Sequence, residues 1–294
     1  MSSCRPPSPE RAVSLRRLFE PGPVPLVMGI VNATPDSFYS GSRAPSLDDA
    51  VALALRMVEE GADIVDVGGM STRPGSDPVP ESVELSRTIG VIEQLRARTG
   101  APISIDTSRA SVAREALRAG ASILNDVTAL RGDAAMAEAA KAFSAVILMH
   151  LGGADPRTMQ DHPRYEDVVR EVGAFLRERK DFFIRSGGDG NRVLVDPGIG
   201  FGKTLDHNLS LLKHVAELAD IGPVVLGASR KSFLGRIMAR GTEAESVPGP
   251  EDRLPGSLGV ACWAAMKGVR VLRVHDVLET RCALEALSRV AEAP

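Results

Sequence analysis

Eight short apolar segments alternate with longer stretches of helical periodicity along this chain, and that alternation narrows the choice of fold more than any other feature. The apolar segments are 25–32, 62–69, 102–107, 122–128, 145–150, 193–198, 223–229 and 269–276. Most read as near-continuous Val, Ile and Leu, as strands covered on both faces do. The helical stretches between and after them are 47–60, 81–98, 111–119, 134–143, 165–185, 208–218, 257–267 and 277–291. Gly61, Gly120 and Gly187 follow three of these stretches, where a left-handed C-cap is expected. Strict alternation implies a parallel sheet with right-handed crossovers. Eight units in 294 residues imply a closed (β/α)8 barrel. A doubly wound dinucleotide sheet expects a glycine-rich turn after its first strand, and Asn32-Ala33-Thr34-Pro35-Asp36 stands there instead. The chain is expected to be one barrel domain, 23–294, behind a partly disordered extension, 1–22.

The formal net charge of -3 gives no electrostatic case for nucleic acid or an anionic membrane surface. No apolar run is long enough to span a bilayer, and the extension lacks the apolar core of a signal peptide. Cys4, Cys262 and Cys282 lie too far apart for a metal or redox motif, which suits a reducing compartment. A cytoplasmic protein that handles small molecules is expected, with neither nucleic acid nor membrane as partner.

In such a barrel the site forms at the C-terminal ends of the strands. Those ends carry Asn32, Asp66 with Gly68-Gly69, Asp106, Asn125 with Asp126, His150, Asp196, the turn Ser229-Arg230-Lys231-Ser232, and Arg273 with His275. Any one of them is an ordinary cap or loop side chain, but eight converging on one mouth are not. Carboxylates accept from amino and ring N–H groups and a lysine donates to a ring carbonyl, so the set suits a heterocycle with an edge like guanine's. The 229–232 turn joins a strand to a helical segment, 233–238, where unpaired backbone N–H groups and the helix dipole favour an anion. Arg273, His275 and Arg73 suit a phosphate or diphosphate. Asn32 offers Mg²⁺ one oxygen, enough where substrate phosphates supply others. There is no Ser/His/Asp or Cys/His pair at motif spacing, His150 reads as structural, and Met149 reads as core or pocket lining. The site is therefore expected to bind, orient and stabilise charge without supplying a nucleophile. The Pro-, Gly- and acid-rich segment 241–255 reads as a mobile loop.

Taken in order, one stretch per strand, these motifs resemble those of the dihydropteroate synthase family, the folate-pathway enzymes inhibited by sulfonamides. The carrying stretches are Met28-Gly29-Ile30-Val31-Asn32-Ala33-Thr34-Pro35-Asp36-Ser37-Phe38, Asp66-Val67-Gly68-Gly69-Met70-Ser71-Thr72-Arg73-Pro74-Gly75, Ile105-Asp106-Thr107-Ser108 and Leu124-Asn125-Asp126-Val127. They continue with Leu148-Met149-His150, Asp196-Pro197-Gly198-Ile199-Gly200-Phe201-Gly202-Lys203, Ser229-Arg230-Lys231-Ser232-Phe233-Leu234-Gly235 and Arg273-Val274-His275-Asp276. The resemblance implies a transferase of the pterin-binding TIM barrel type. It would join 6-hydroxymethyl-7,8-dihydropterin diphosphate to p-aminobenzoate and release pyrophosphate. It further implies that Asp106, Asn125, Met149, Asp196, Phe201, Lys231 and Arg273 bind the pterin. Asn32, Thr72, Arg273 and His275 would meet the diphosphate, with Asn32 also reaching Mg²⁺. Phe38, Pro74 and Ser232 would receive p-aminobenzoate, and Asp106, Lys231, Asn32 and Arg73 would carry the catalysis. A homodimer through outer helices is implied as well.

Two positions depart from the family's usual pattern: Met70 stands where Glu is usual, and Ser40 near a usual Asp. Both belong to loops that close over the reaction centre in the family, so their loss bears on turnover more than on binding. Two alternatives share the fold: a pterin-binding paralogue with altered or no catalysis, and a methyltransferase moving methyl from methyltetrahydrofolate to a corrinoid. The latter has no need of the Ser-Arg-Lys-Ser turn.

Overall fold

The structure, a computed structural model, describes residues 15–33, 46–70, 79–153, 163–239 and 247–293. Its strands are β1 Leu26–Asn32, β2 Ile64–Gly68, β3 Ile103–Asp106, β4 Ile123–Asp126, β5 Ala145–Met149, β6 Val193–Asp196, β7 Val225–Leu226 and β8 Val271–Val274. All pair in parallel, in the order β6-β5-β4-β3-β2-β1-β8-β7. A single bridge, Val195 to Val224, joins β6 to the start of the β7 segment and rounds the sheet into a barrel. The helices are α1 Leu47–Glu59, α2 Glu81–Arg96, α3 Ala110–Ala119, α4 Met136–Ala140, α5 Val168–Arg185, α6 Leu205–Lys213, α7 Ser232–Met238, α8 Leu254–Met266 and α9 Val277–Ala291. Local chemistry sets several of their ends: Ser46 and Asp49 form a capping box for α1, Thr204 caps α6, and Gly120 at φ 112 stops α3.

The strand pleat sorts side chains between two cores. Outward residues such as Val27, Val65, Ile103, Val146 and Leu272 pack under the helices. Inward residues nearer the strand starts, among them Leu26, Met28, Ile64, Ile123, Ile147, Leu194, Val225 and Val271, fill the lower barrel. Leu18 joins that cluster from the 3-10 turn Leu15–Leu18, with Leu15 and Phe19 against it, so this part of the extension plugs the barrel floor. Each such aliphatic side chain contributes on the order of 1.5–3 kcal/mol on burial. Two residues further along the same inward face the chemistry changes: Asp66 follows Ile64, Asn125 follows Ile123, Asp196 follows Leu194 and Arg273 follows Val271. A dry lower tier thus supports a polar upper one.

Some elements are shorter than the sequence pattern implies. The 134–143 helix contracts to Met136–Ala140, and 208–218 becomes α6 plus a 3-10 segment, Val215–Asp220. The seventh strand keeps two residues, because Pro223 has no N–H to give to a ladder and the chain turns after Gly227 to build the site. The described part of the 241–255 segment is docked rather than loose. Arg253 donates to the carbonyls of Pro248 and Arg230 at 2.9 Å each, and Arg230 pairs with Glu251 at 2.7 Å. No described helix is long and apolar enough to cross a membrane.

Candidate functional site

The polar tier is tied together by Arg273. From β8 its Nε donates to Asp66 Oδ2 on β2 at 2.7 Å and its Nη2 to Asp106 Oδ2 on β3 at 2.8 Å. Asn125 on β4 donates to the same Asp66 oxygen at 3.2 Å. Across the barrel, Asp196 at the end of β6 accepts from Gly198 N–H at 2.7 Å. Lys231, just before α7, reaches back over this loop to donate to Ile199 O at 2.5 Å, its ammonium 4.4 Å from the centre of the Phe201 ring. Gly200, at φ 82, makes that reach possible, since a Cβ there would sit 3.2 Å from Lys231 Cδ. Phe201 packs with Met149, Val127 and Leu151 into a small apolar wall. The upper tier therefore has charged edges and an apolar face, which suits a flat heterocycle with donors and acceptors on its rim.

Burial governs the charges. It raises Asp106 to about 7 against the pull of Arg273, with Asp66 adding to the rise. Asp196 is also raised by burial, with Lys231 opposing. Burial lowers Lys231 to about 8, and Asp196 opposes. Burial works against the Arg273 charge, but Asp66 and then Asp106 more than compensate and hold it above the usual arginine value. Near neutral pH the tier holds a firm cation in Arg273 and a carboxyl in Asp106 close to its titration point.

At the rim, Arg230 takes a left-handed conformation, φ 59. It is held there by Asp276 at 2.5 and 3.0 Å, by Glu251, and by Ser257 Oγ, which accepts from its backbone N–H at 3.0 Å. This clamp fixes the start of α7, where Ser232 is exposed. Ser229 accepts from His275 N–H at 3.2 Å and lies 3.1 Å from its Nδ1. Asn32 ends β1, its Oδ1 3.7 Å from where a Cβ on Gly68 would stand, so the glycine leaves open space beside that oxygen. Among the described residues no group of three or more His, Cys, Asp and Glu could hold a metal ion. A hard cation at Asn32 would thus take one amide oxygen and draw its remaining ligands from phosphate and water, as Mg²⁺ does.

Asp106, Asn125, Met149, Asp196, Phe201, Lys231 and Arg273 share the upper tier, with Asn32, Ser232 and His275 on its rim. Asp36, Phe38, Ser40, Thr72, Arg73 and Pro74 lie outside the described residues. Asp126, adjacent to Asn125, faces away. It accepts from Thr128 and Leu130 N–H and supports the left-handed Ala129 and Leu130. Two residues emerge that the motif pattern alone gave no role. Asp66 is one. Lys203 is the other, almost fully buried, donating at 2.9 Å to each of His150 Nδ1, Gly198 O and Phe201 O. Lys203 and His150 sit behind the Phe201 wall, with the His150 ring edge-on to Phe175. Only the glycine-rich spacing of 198–202, which leaves carbonyls in need of donors, hints at Lys203.

The profile of the pterin binding enzyme family matches residues 28–275. The dihydropteroate synthase of Escherichia coli K12 is 45% identical over 270 residues, covering 92% of this chain and 91% of that one. The structure of Xanthomonas albilineans dihydropteroate synthase with 4-aminobenzoic acid superposes with a TM-score of 0.83 at 44% identity, over 92% of this chain and 94% of that one. The Xanthomonas albilineans enzyme in complex with 7,8-dihydropteroate gives 0.80 at 41% identity, over 92% and 95%.

Proposed function

Since the chain belongs to the pterin-binding enzymes, and among them to the dihydropteroate synthases, we propose that it is a folate-pathway transferase joining 6-hydroxymethyl-7,8-dihydropterin diphosphate to p-aminobenzoate, with release of pyrophosphate. The observation that carries the reading is Lys231: a half-buried ammonium with one carbonyl acceptor and an aromatic face, its other N–H bonds without acceptors among the described residues. It borders the tier that Asp106, Asn125 and Asp196 line, where a ring carbonyl would take its proton donors.

In this reading Asp106, Asn125, Asp196 and Lys231 hold the rim of the pterin, and Met149 and Phe201 cover its face. Arg273 lies beside the ring and, with His275, Thr72 and Asn32, receives the diphosphate. Mg²⁺, held at Asn32, would neutralise charge on the departing pyrophosphate. The C–O bond breaks first, and ionised Asp106 stabilises the positive charge that develops on the pterin methylene. Ser232 and the backbone at the start of α7 take the carboxylate of p-aminobenzoate, with Phe38 and Pro74 about its ring. Arg73 serves the departing phosphates. The aniline nitrogen attacks and its ammonium loses a proton to solvent, so no strong base is required. Because Asp106 must be ionised, activity should fall as pH drops through about 7 in the free enzyme.

One catalytic domain, 23–294, a cytoplasmic location and a homodimer through outer helices complete the proposal. Exposed Leu209 on α6, Ile237 on α7 and Trp263 and Met266 on α8 support the last. The test is pyrophosphate release with Mg²⁺ and dihydropterin diphosphate, with and without p-aminobenzoate. Release that depends on p-aminobenzoate and yields dihydropteroate supports the synthase with Met70 and Ser40 in place. Pterin binding without turnover would assign the chain to the non-catalytic alternative.

A further inference from the structure

We propose that Asp66 is a positioning residue of the reaction, the fixed point from which both Arg273 and Asn125 are aimed at the pterin; the inference rests on the synthase reading above. One carboxylate oxygen, Asp66 Oδ2, accepts from Arg273 Nε and from Asn125 Nδ2. The arginine's second bond, from Nη2 to Asp106, lies on the same edge of the guanidinium. Two carboxylates on one edge fix both the plane and the tilt of the group, and they leave Nη1 on the far side without an acceptor among the described residues. The Asn125 amide is fixed in the same way: with its N–H₂ turned to Asp66, its carbonyl oxygen faces away from Asp66 and would be offered to the pterin.

Only one oxygen of this carboxylate is satisfied within the fold. Asp66 is fully buried, and its Oδ1 has no hydrogen-bond partner. Ser104, opposite it in the β2–β3 register, has an unpaired Oγ. Among the described side chains these are the two buried polar atoms left without a partner. A buried carboxylate oxygen in that state is costly, and such costs are retained where function requires them. Asp66 also acts on Asp106 through charge. Asp106 faces Arg273 from β8, Asp66 from β2, Glu84 from α2, Asp126 from β4 and Lys231 ahead of α7. Within that set Asp66 favours the protonated form of Asp106 and Arg273 the ionised form.

The test is Asp66→Asn, close in shape and neutral. The expected result is a fall in kcat/KM at pH 7 of roughly tenfold or more, since small errors of aim are costly in bound reactants. KM for the pterin diphosphate should rise while KM for p-aminobenzoate stays within about twofold, the change from one weak contact at most. The acid limb of the kcat/KM profile should move to lower pH, because Asp106 loses a repelling neighbour. Ser104→Ala should match wild type in all four readouts. The inference is overturned if Asp66→Asn is kinetically like wild type. It is also overturned if both KM values worsen together with an unmoved acid limb, which is the mark of a structural role. Equal damage from Ser104→Ala would likewise overturn it. If Asp66→Asn does not fold, the Arg273 Nε proton of the wild-type enzyme decides: slow exchange and a downfield resonance are expected, and rapid exchange refutes the pairing. Wild type is assayed in parallel. If it makes no dihydropteroate, the synthase reading fails; if it does and Asp66→Asn equals it, only the positioning role fails.

Discussion

Lys203 and Lys231 both donate to carbonyls of the loop 198–201, and they differ in what their ammonium groups have left to offer. Lys203 spends all three N–H bonds on His150 Nδ1, Gly198 O and Phe201 O. Lys231 spends one, on Ile199 O, and rests against the Phe201 ring. Burial lowers both, to about 7 and about 8. Titration behaviour alone would not tell them apart. Saturation does: the satisfied lysine is a brace, and the unsatisfied one is free to recognise a ligand. His150 follows the same logic. Burial and then the Lys203 charge lower it to about 2, so it stays neutral and serves as an acceptor.

The sharpest way to break this contrast is Lys203→Met, which strands two buried carbonyls and an imidazole. A loss of about 3 kcal/mol is expected, or roughly 6–12 °C in Tm for a domain of this size. A midpoint within a degree of wild type would show that the brace is not needed. Lys231→Ala should do the reverse. Calorimetry should show the dihydropterin diphosphate bound about 10–100-fold more weakly, the worth of one charge-assisted hydrogen bond, at an unchanged or higher Tm. Unchanged affinity would remove Lys231 from the pocket.

A subtler effect lies in the pH dependence of stability. The folded pKa of Lys203 is depressed, so between about 7 and its unfolded value near 10 the unfolded chain binds more protons. This group therefore makes stability rise with pH across that window. The urea midpoint should gain more between pH 7 and 9.5 in wild type than in Lys203→Met, and equal gains would contradict the assignment. Smallest is Ser232→Ala, expected to raise KM for p-aminobenzoate about threefold to tenfold with little change for the pterin. A reversed order would move the anion site elsewhere.

The barrel was legible because its strands are covered on both faces and read as unbroken apolar runs. The same property concealed the two tiers: Ile64 and Val65 look alike in sequence, yet one faces the barrel floor and the other the helices. The polar strand ends stood out because Asp106, Asn125, Asp196 and Lys231 each interrupt such a run. Asp66 interrupts one too, but its partner Arg273 lies 207 residues away, and no local pattern carries that pairing. The docking of 247–255 was hidden for a like reason, since it depends on the unusual backbone of Arg230 and on Glu251, a surface acid in a loop of polar composition. Lys203 stood two residues after Phe201 in plain view, but whether its ammonium turns toward the ligand or away from it is a matter of tertiary geometry.

The lone bridge between Val195 and Val224 has a consequence for ligand linkage. Asp196 and Lys231 stand on opposite sides of that seam, joined there by side chain to backbone rather than by a ladder of strand pairs. A ring that accepts from one and donates to the other sutures the barrel where it is least stitched. Occupancy is then felt as mechanical closure. The amides around 224–228 should slow their exchange with solvent when the pocket fills, while those of β2 and β3, already paired on both sides, report little.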